Sequence, residues 1–222
     1  MTAGIRHRLW QDKAMAAPKP NLVRPKPRAN ARPSRTPVVV EVPFLETELA
    51  PVMPERVRAL KRNLVEAMRD LRKARKPERL IQSCTPPPVG FAATVTAAGC
   101  ANCQGFCCKN GGDHAYIDDR TMARVRHDRP ELDAAAVIRL YVDAVPAEAA
   151  RGSCIFHGAK GCTLARHLRA ELCNAYYCTG LHDFLNWAEM PPGVVVVASR
   201  NGKGQRSNVL RPPSPAADGK ED

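Results

Sequence analysis

The clearest hydrophobic pattern in the chain is a helical one over residues 54–76. Apolar residues recur there at three- and four-residue steps, which is the spacing of one face of an amphipathic helix. Pro54 suits the first helical turn, and Pro77 is expected to end the helix. The apolar face consists of Val57, Leu60, Leu64, Met68 and Leu71, and the opposite face carries Arg58, Lys61, Arg62, Arg69 and Arg72. We expect the apolar face to pack on the cysteine-rich region and the charged face to lie in water.

Further along the chain, the pattern predicts three shorter helices. Asp118 or Asp119 can cap a helix over residues 121–127, and a second helix is predicted over about 131–142. A third is predicted over residues 164–174, where it would carry one of the cysteines.

Strand patterns are fewer. The apolar run at residues 194–198 predicts a strand, and Asn201 with Gly202 predicts a tight turn after it. Another short apolar segment covers residues 38–42, and the chain after Arg211 is expected to fray. Together these elements predict an α+β fold: a small, helix-rich, irregular cysteine domain that is stabilised by metal.

Charge is concentrated at the amino terminus. Of the formal net charge of +12, the first 38 residues contribute nine Lys/Arg against the single acidic residue Asp12. Because this stretch is rich in proline and poor in apolar residues, we expect residues 1–52 to form a disordered basic tail. Such a tail could make weak contacts with nucleic acid or an acidic protein. A mitochondrial presequence is a further interpretation, although the many prolines oppose an amphipathic helix.

Three proline residues at 86–88 predict a stiff spacer, and we place a domain boundary there. The expected organisation is a helix with a proline-rich linker over residues 53–88, a cysteine-cluster domain over 89–200, and a flexible tail over 201–222.

Cysteine spacing carries most of the chemical information. Eight of the nine cysteines fall within 79 positions, with gaps of two and three residues in the first group. Thiolates at such intervals can converge on one soft or borderline ion, and both zinc and iron–sulfur clusters accept four of them. Isolated buried thiols are common, but they do not explain this density. The predicted metal ligands are Cys100, Cys103, Cys107, Cys108, Cys154, Cys162, Cys173 and Cys178.

A disulfide framework is the main alternative, with unliganded or redox thiols as another. Disulfides persist chiefly in exported proteins, and the amino terminus has no apolar run of signal-peptide length. An odd number of cysteines also leaves one thiol unpaired. No segment approaches the length of a membrane helix, so we expect a soluble, cytoplasmic protein without a membrane partner. Cys84 lies apart from the cluster and is expected to be a lone thiol.

The number of metal ions stays open at this point. Side chains of adjacent residues such as Cys107 and Cys108 usually diverge, so these two can serve different ions. Eight thiolates allow two separate four-cysteine zinc sites, a binuclear site with bridging sulfur, or one four-iron cluster with four cysteines in other roles. Basic residues that could offset the thiolate charge are Lys109, Lys160, Arg166 and Arg169, and candidate bases or additional ligands are His157, His167 and Glu171.

The motif CANCQGFCC, followed some fifty residues later by GSCIFHGAKGCTLARHLRAELCNAYYC, resembles the YkgJ-type cysteine cluster family, which is described as a zinc- or iron-chelating domain. The resemblance implies a metal-binding role for the eight matching cysteines, within a domain spanning about residues 89–197. A related cysteine pattern occurs in flagellin lysine methylases, where an iron–sulfur cluster is implicated.

Three functions follow from these patterns. The first is a non-catalytic metal-binding module, in which zinc or iron (including a 4Fe–4S cluster) is structural or serves metal handling, because no reaction motif accompanies the thiols. The second is an iron–sulfur redox or methyl-transfer enzyme. The third is a metal-stabilised nucleic-acid or protein adaptor, suggested by the basic tail and the basic helix face.

Overall fold

Helices and strands alternate irregularly through residues 36–81, 84–159, 161–187 and 190–213, which are the parts of the chain that the computed structural model describes. The strands are β1 (Val38–Pro43), β2 (Leu49–Pro51), β3 (Glu148–Ala150), β4 (His157–Gly158), β5 (Gly161–Cys162), β6 (Val194–Arg200) and β7 (Lys203–Leu210). The helices are α1 (Pro54–Lys73), α2 (Gly90–Cys103), α3 (Asp119–Asp128), α4 (Ala134–Asp143), α5 (Glu171–Ala175) and α6 (Thr179–Leu185). Short 3₁₀ turns lie at Pro77–Leu80, Phe106–Asn110 and Arg166–Leu168.

A three-stranded sheet in the order β1-β6-β7 joins segments that are far apart in sequence. Strand β1 runs parallel to β6, and β7 is antiparallel to β6. Asn201 and Gly202 both have positive φ (52° and 73°), as expected for the tight hairpin turn that links β6 to β7. The predicted strand at 194–198 and its turn are therefore confirmed. Two smaller antiparallel pairs, β2 with β3 and β4 with β5, complete the strand pairing.

One apolar core lies against the three-stranded sheet, and we call it the sheet core. Helices α2 and α6 pack on the sheet, so that Val95 and Leu181 meet the alternate buried residues of β1 and β6. Its buried members are Val40, Val42, Phe91, Val95, Cys103, Leu181, Phe184, Val194, Val196 and Ala198.

A second apolar core, the helical core, forms where α1 packs on α3 and α4. Leu60 and Leu64 of α1 are fully buried there, so the predicted amphipathic helix and its packing are confirmed. The predicted cap at the start of α3 is also observed, because the Asp118 carboxylate accepts a hydrogen bond from the Thr121 amide. The remaining buried members are Ala67, Met68, Ala115, Ile117, Met122, Val125, Val137, Tyr141, Cys154, Ile155, Phe156, Leu164 and Leu168.

The structure corrects the predicted extent of the disordered tail. Residues 38–43 form β1 and residues 49–51 form β2, with Val40 and Val42 buried in the sheet core. The expectation for residues 1–52 is therefore wrong for these two strands, because their apolar residues gain a buried face by pairing with β6. Residues 1–35, which carry most of the net positive charge, lie outside the described residues.

The predicted domain boundary at residues 86–88 is also wrong. Residues on both sides of it contribute to the same compact unit, since α1 shares the helical core with Cys154 and β1 shares the sheet core with α2. The proline segment is a connection within this unit.

Three element predictions need further correction. The helix predicted over 164–174 is split, because Arg169 and Ala170 are extended (ψ 150° and 148°) between the 3₁₀ turn and α5. Helix α2 was not predicted, and β7 lies in the segment that was expected to be a flexible tail. Residues 214–222 are outside the described part of the chain. Among the helices of the described residues, none is long and apolar enough to cross a membrane.

Candidate metal centre

The eight clustered cysteines are held by short structural elements near the junction of the two cores. Cys100 and Cys103 occupy the last turn of α2, and the 3₁₀ turn that follows carries Cys107 and Cys108. This helical geometry was not predicted from the sequence. The other four are placed by a turn after β3 (Cys154), by β5 (Cys162), by α5 (Cys173) and by the start of α6 (Cys178).

The clustered thiols shift one another's pKa, which indicates that they lie close together. Loss of hydration raises the pKa of Cys100 to about 12, and the charges of Cys107, Cys103 and Cys178 add to that shift. Loss of hydration likewise raises the pKa of Cys173 to about 12, with further contributions from Cys154, Cys162 and Cys107. Charge repulsion falls with distance, so thiols that are distant in sequence lie close together in the fold.

The adjacent cysteines at the centre of this group have opposite pKa shifts. A hydrogen bond between the two side chains lowers the pKa of Cys107 and raises the pKa of Cys108. Cys107 is therefore the thiol that ionises most readily, because the Cys108 S–H donates to its thiolate. Its charge raises the pKa of thiols on both sides of the cluster, including Cys178 and Cys162.

Arg169 supplies positive charge to the cluster. Its guanidinium opposes the upward pKa shifts of Cys100, Cys162 and Cys173, and its Nε donates to the Leu164 carbonyl at 2.9 Å. Of the four basic residues named from the sequence, Arg169 is the one that the structure brings to these thiols within the described residues. Arg166 instead donates to the carbonyls of Thr85 and Asn174, no contact with the thiols is observed for Lys109, and Lys160 lies outside the described residues.

Two buried polar side chains hold the segment that carries Arg169. Arg124 is only 3% exposed and donates to the carbonyl oxygens of both His167 and Arg169. Tyr141 is fully buried and donates to the Leu168 carbonyl at 2.8 Å. Sequence reasoning missed both residues, because an arginine and a tyrosine on amphipathic helices carry no signal of what their polar ends contact.

His157 joins two cysteine-bearing segments and has no nitrogen left for a metal. Its Nε2 donates to the Gln104 carbonyl, and its Nδ1 lies 2.9 Å from the Ser153 hydroxyl. Burial lowers the pKa of His157, although the bond to Gln104 opposes that shift. Gly105 has a φ of +79°, and a Cβ there would lie 2.7 Å from His157 Cε1, so both its backbone and its neighbour require glycine.

Glu171 and His167, the other candidate bases, also stand apart from the cluster. The Glu171 carboxylate accepts hydrogen bonds from the amide and the hydroxyl of Thr85, and the His167 side chain is exposed. Cys84 lies next to Thr85 and accepts a hydrogen bond from Asn174 Nδ2 at 3.0 Å. Glu171 and Asn174, both on α5, therefore hold the segment that contains Cys84 and Thr85.

All nine cysteines are free thiols, so the structure contains no disulfide framework. Within the described ranges, no three or more His, Cys, Asp or Glu side chains are arranged as a ready metal site. The thiols have converged on one region, and coordination would require their side chains to turn toward a common ion. Eight soft sulfur donors beside one arginine suit zinc or iron rather than magnesium or calcium, which prefer oxygen.

The chain matches no family model, no curated protein and no solved structure. The resemblance to the YkgJ-type family therefore stays a prediction from the cysteine motifs.

Proposed function

We propose that this protein is a metal-binding cysteine-cluster module whose metal, zinc or iron, joins the two cores or is held for transfer. The observation that carries the proposal is that eight free thiols, held by six segments of the fold, shift one another's pKa, as groups that lie close together do. Cys103 and Cys178 pack with the sheet core, whereas Cys108, Cys154 and Cys162 pack with the helical core. A metal bound here would tie one core to the other.

The donor set fits such a metal. Thiolates are the preferred ligands of structural zinc and of iron–sulfur clusters, and thiolate sites of either kind carry net negative charge. Arg169 supplies compensating positive charge from outside the ligand set. A bound metal would cross-link the segments that carry its ligands. An iron–sulfur cluster would also provide electron transfer.

Metal analysis of the full chain, purified without oxygen, tests this proposal. We expect stoichiometric zinc or iron by elemental mass spectrometry. A visible absorption spectrum distinguishes the two, because an iron–sulfur cluster is coloured and zinc does not absorb visible light. Cys107→Ser and Cys173→Ser are each expected to lower both metal content and resistance to limited proteolysis, because each removes a thiolate from the cluster.

The matched control is Cys84→Ser. Cys84 contacts Asn174 and is not among the thiols that shift the clustered cysteines, so this variant is expected to keep the metal content of the unmodified protein. Purified protein that is folded but free of metal would contradict the proposal. So would equal metal loss in the Cys84 and Cys107 variants.

A second candidate function, binding of nucleic acid, is favoured by the surface of α1 and the turn after it. Residues 58–79 carry nine Lys/Arg side chains, all exposed, against three exposed acidic residues. Among these nine, only Arg58 forms an ion pair within the described residues. Unpaired cations along a helix attract phosphate backbones without sequence preference.

Titration with a fluorescent DNA duplex at two salt concentrations tests this second candidate. We expect binding at low salt that weakens steeply as salt is added, because phosphate contacts release counterions. Arg69→Glu is expected to weaken low-salt binding several-fold. Arg139→Glu makes the same charge change at an exposed position on α4 and should have little effect. Equal effects of the two variants, or no binding at low salt, would rule out this surface.

A further inference from the structure

The net positive charge of the described residues is concentrated on α1 and the turn after it. Residues 58–79 carry nine Lys/Arg against three acidic residues, whereas the remaining described residues carry fourteen Lys/Arg and fourteen Asp/Glu. One exposed surface therefore supplies the whole net charge of this part of the chain. Such a one-sided field attracts polyanions.

Five of these cations form a continuous strip along the outer face of α1. At about 100° per residue they fall within an arc of about 120° around the helix axis, and they extend over about 18 Å along it. Glu66 and Asp70, the acidic residues in the same part of the helix, lie to one side of this arc. The basic strip consists of Lys61, Arg62, Arg69, Arg72 and Lys73, all of which are exposed.

The charges of the basic strip are not neutralised by the protein itself. Within the described residues, none of the five side chains takes part in an ion pair, whereas Arg58 at the start of the same face is paired with Glu55. A cation held by a carboxylate must give up that contact before it binds a ligand. The cations of the strip have no such contact to lose.

Contacts on the opposite face of α1 hold the strip in place. The Arg56 guanidinium donates to the Asp113 carboxylate at 2.6 Å and to the Ser153 carbonyl at 2.7 Å. One turn further on, Asn63 Nδ2 donates to the Ile117 carbonyl at 2.9 Å. The apolar stripe between these contacts is buried in the helical core. The strip therefore lies on a helix whose position is fixed before any ligand arrives, which lowers the ordering cost of binding.

We propose that the basic strip binds the phosphate backbone of a nucleic-acid duplex, with α1 lying along one strand. This inference rests on the second candidate function and specifies its ligand class and its contacts. Phosphates of one duplex strand recur about every 3.4 Å along the axis, so about 18 Å of that strand presents about five charges. The strip offers five cations over the same length.

Two other polyanionic ligands fit α1 less well. The helix contains no aromatic residue, so it offers no platform on which the bases of a single strand could stack. Its apolar face is buried in the helical core, so it has no exposed apolar face to insert into an anionic membrane. A duplex needs neither feature, because its phosphates are evenly spaced on a stiff scaffold.

Fluorescence anisotropy of the full chain with a short labelled DNA duplex, over a series of salt concentrations, tests the proposal. We expect the logarithm of the binding constant to fall with the logarithm of salt concentration with a slope of about −4 or steeper, because each phosphate contact adds about −0.9. Arg62→Gln and Arg69→Gln should each reduce this slope by about 1 and weaken low-salt binding several-fold. Glu66→Gln should tighten binding, since it removes a negative charge beside the strip.

Arg139→Gln is the matched control, because it makes the same charge change at an exposed position on α4. It should leave the slope unchanged. Equal changes of slope in the control and the strip variants would overturn the inference. So would a shallow slope for the unmodified protein, which needs no variant to fold, tighter binding to a single strand of the same length, or equal binding to phosphatidylserine vesicles. Absence of any binding at low salt would instead refute the second candidate function itself.

Discussion

Removal of the metal with a strong chelator is expected to abolish most of the cooperative unfolding transition of the protein. A structural zinc site contributes on the order of 10 kcal/mol or more at neutral pH, which is comparable with the net stability of a whole domain. Here the thiols belong to two different cores, so their release would also uncouple one core from the other. Thermal unfolding followed by circular dichroism, with and without chelator, measures the effect.

Return of zinc to the chelated protein should restore the transition, and this reversal is the control for damage by the chelator. Limited proteolysis should cut the chelated protein between residues 104 and 118, where the turn carrying Cys107 connects the cores. An unchanged unfolding midpoint in protein whose metal has verifiably been removed would contradict a structural role for the metal.

Gly180→Ala is expected to destabilise the protein by roughly 3 kcal/mol or more, because overpacked positions cost about 1–3 kcal/mol even where side chains can adjust. A Cβ at this position would overlap the Glu41 carbonyl oxygen and lie 2.9 Å from its carbon. Both of these atoms are backbone atoms of β1, so relief would require α6 to move off the sheet. Leu181 and Phe184 would then lose contact with the sheet core.

Gly204→Ala is the matched control for this substitution. Its added Cβ would meet the Val197 side chain at 3.5 Å, which is ordinary van der Waals contact. Urea unfolding of the two variants should give a much lower midpoint for Gly180→Ala and nearly the parent midpoint for Gly204→Ala. Equal midpoints would mean that α6 does not pack on β1 as described.

How far the sequence predicts this fold depends on whether an element's pattern is local. Helix α1 was predicted because its apolar stripe, the proline at its start and the proline shortly after its end are all local signals. Helix α2 was missed because its sequence GFAATVTAAGCANC consists mostly of small and apolar residues without a polar face. Strand β7 was missed because KGQRSNVL is mostly polar and is ordered through pairing with β6.

The candidate site was predicted to the same limited extent. Cysteine spacing identified the eight thiols, since each of them carries its own chemical signal. Their division between two cores depends on tertiary packing, which spacing does not reveal. The roles of Arg124 and His157 were beyond sequence reasoning for a different reason. Each acts through contacts with backbone carbonyls that are distant in sequence.

The pairing of β1 with β6 sets an order of events during synthesis on the ribosome. Strand β1 precedes all eight clustered cysteines, and its partner β6 follows them. At about 5–20 residues per second, the intervening stretch takes on the order of ten seconds to emerge. The three-stranded sheet cannot close during that interval, so all eight clustered thiols emerge before the sheet that covers some of them has formed.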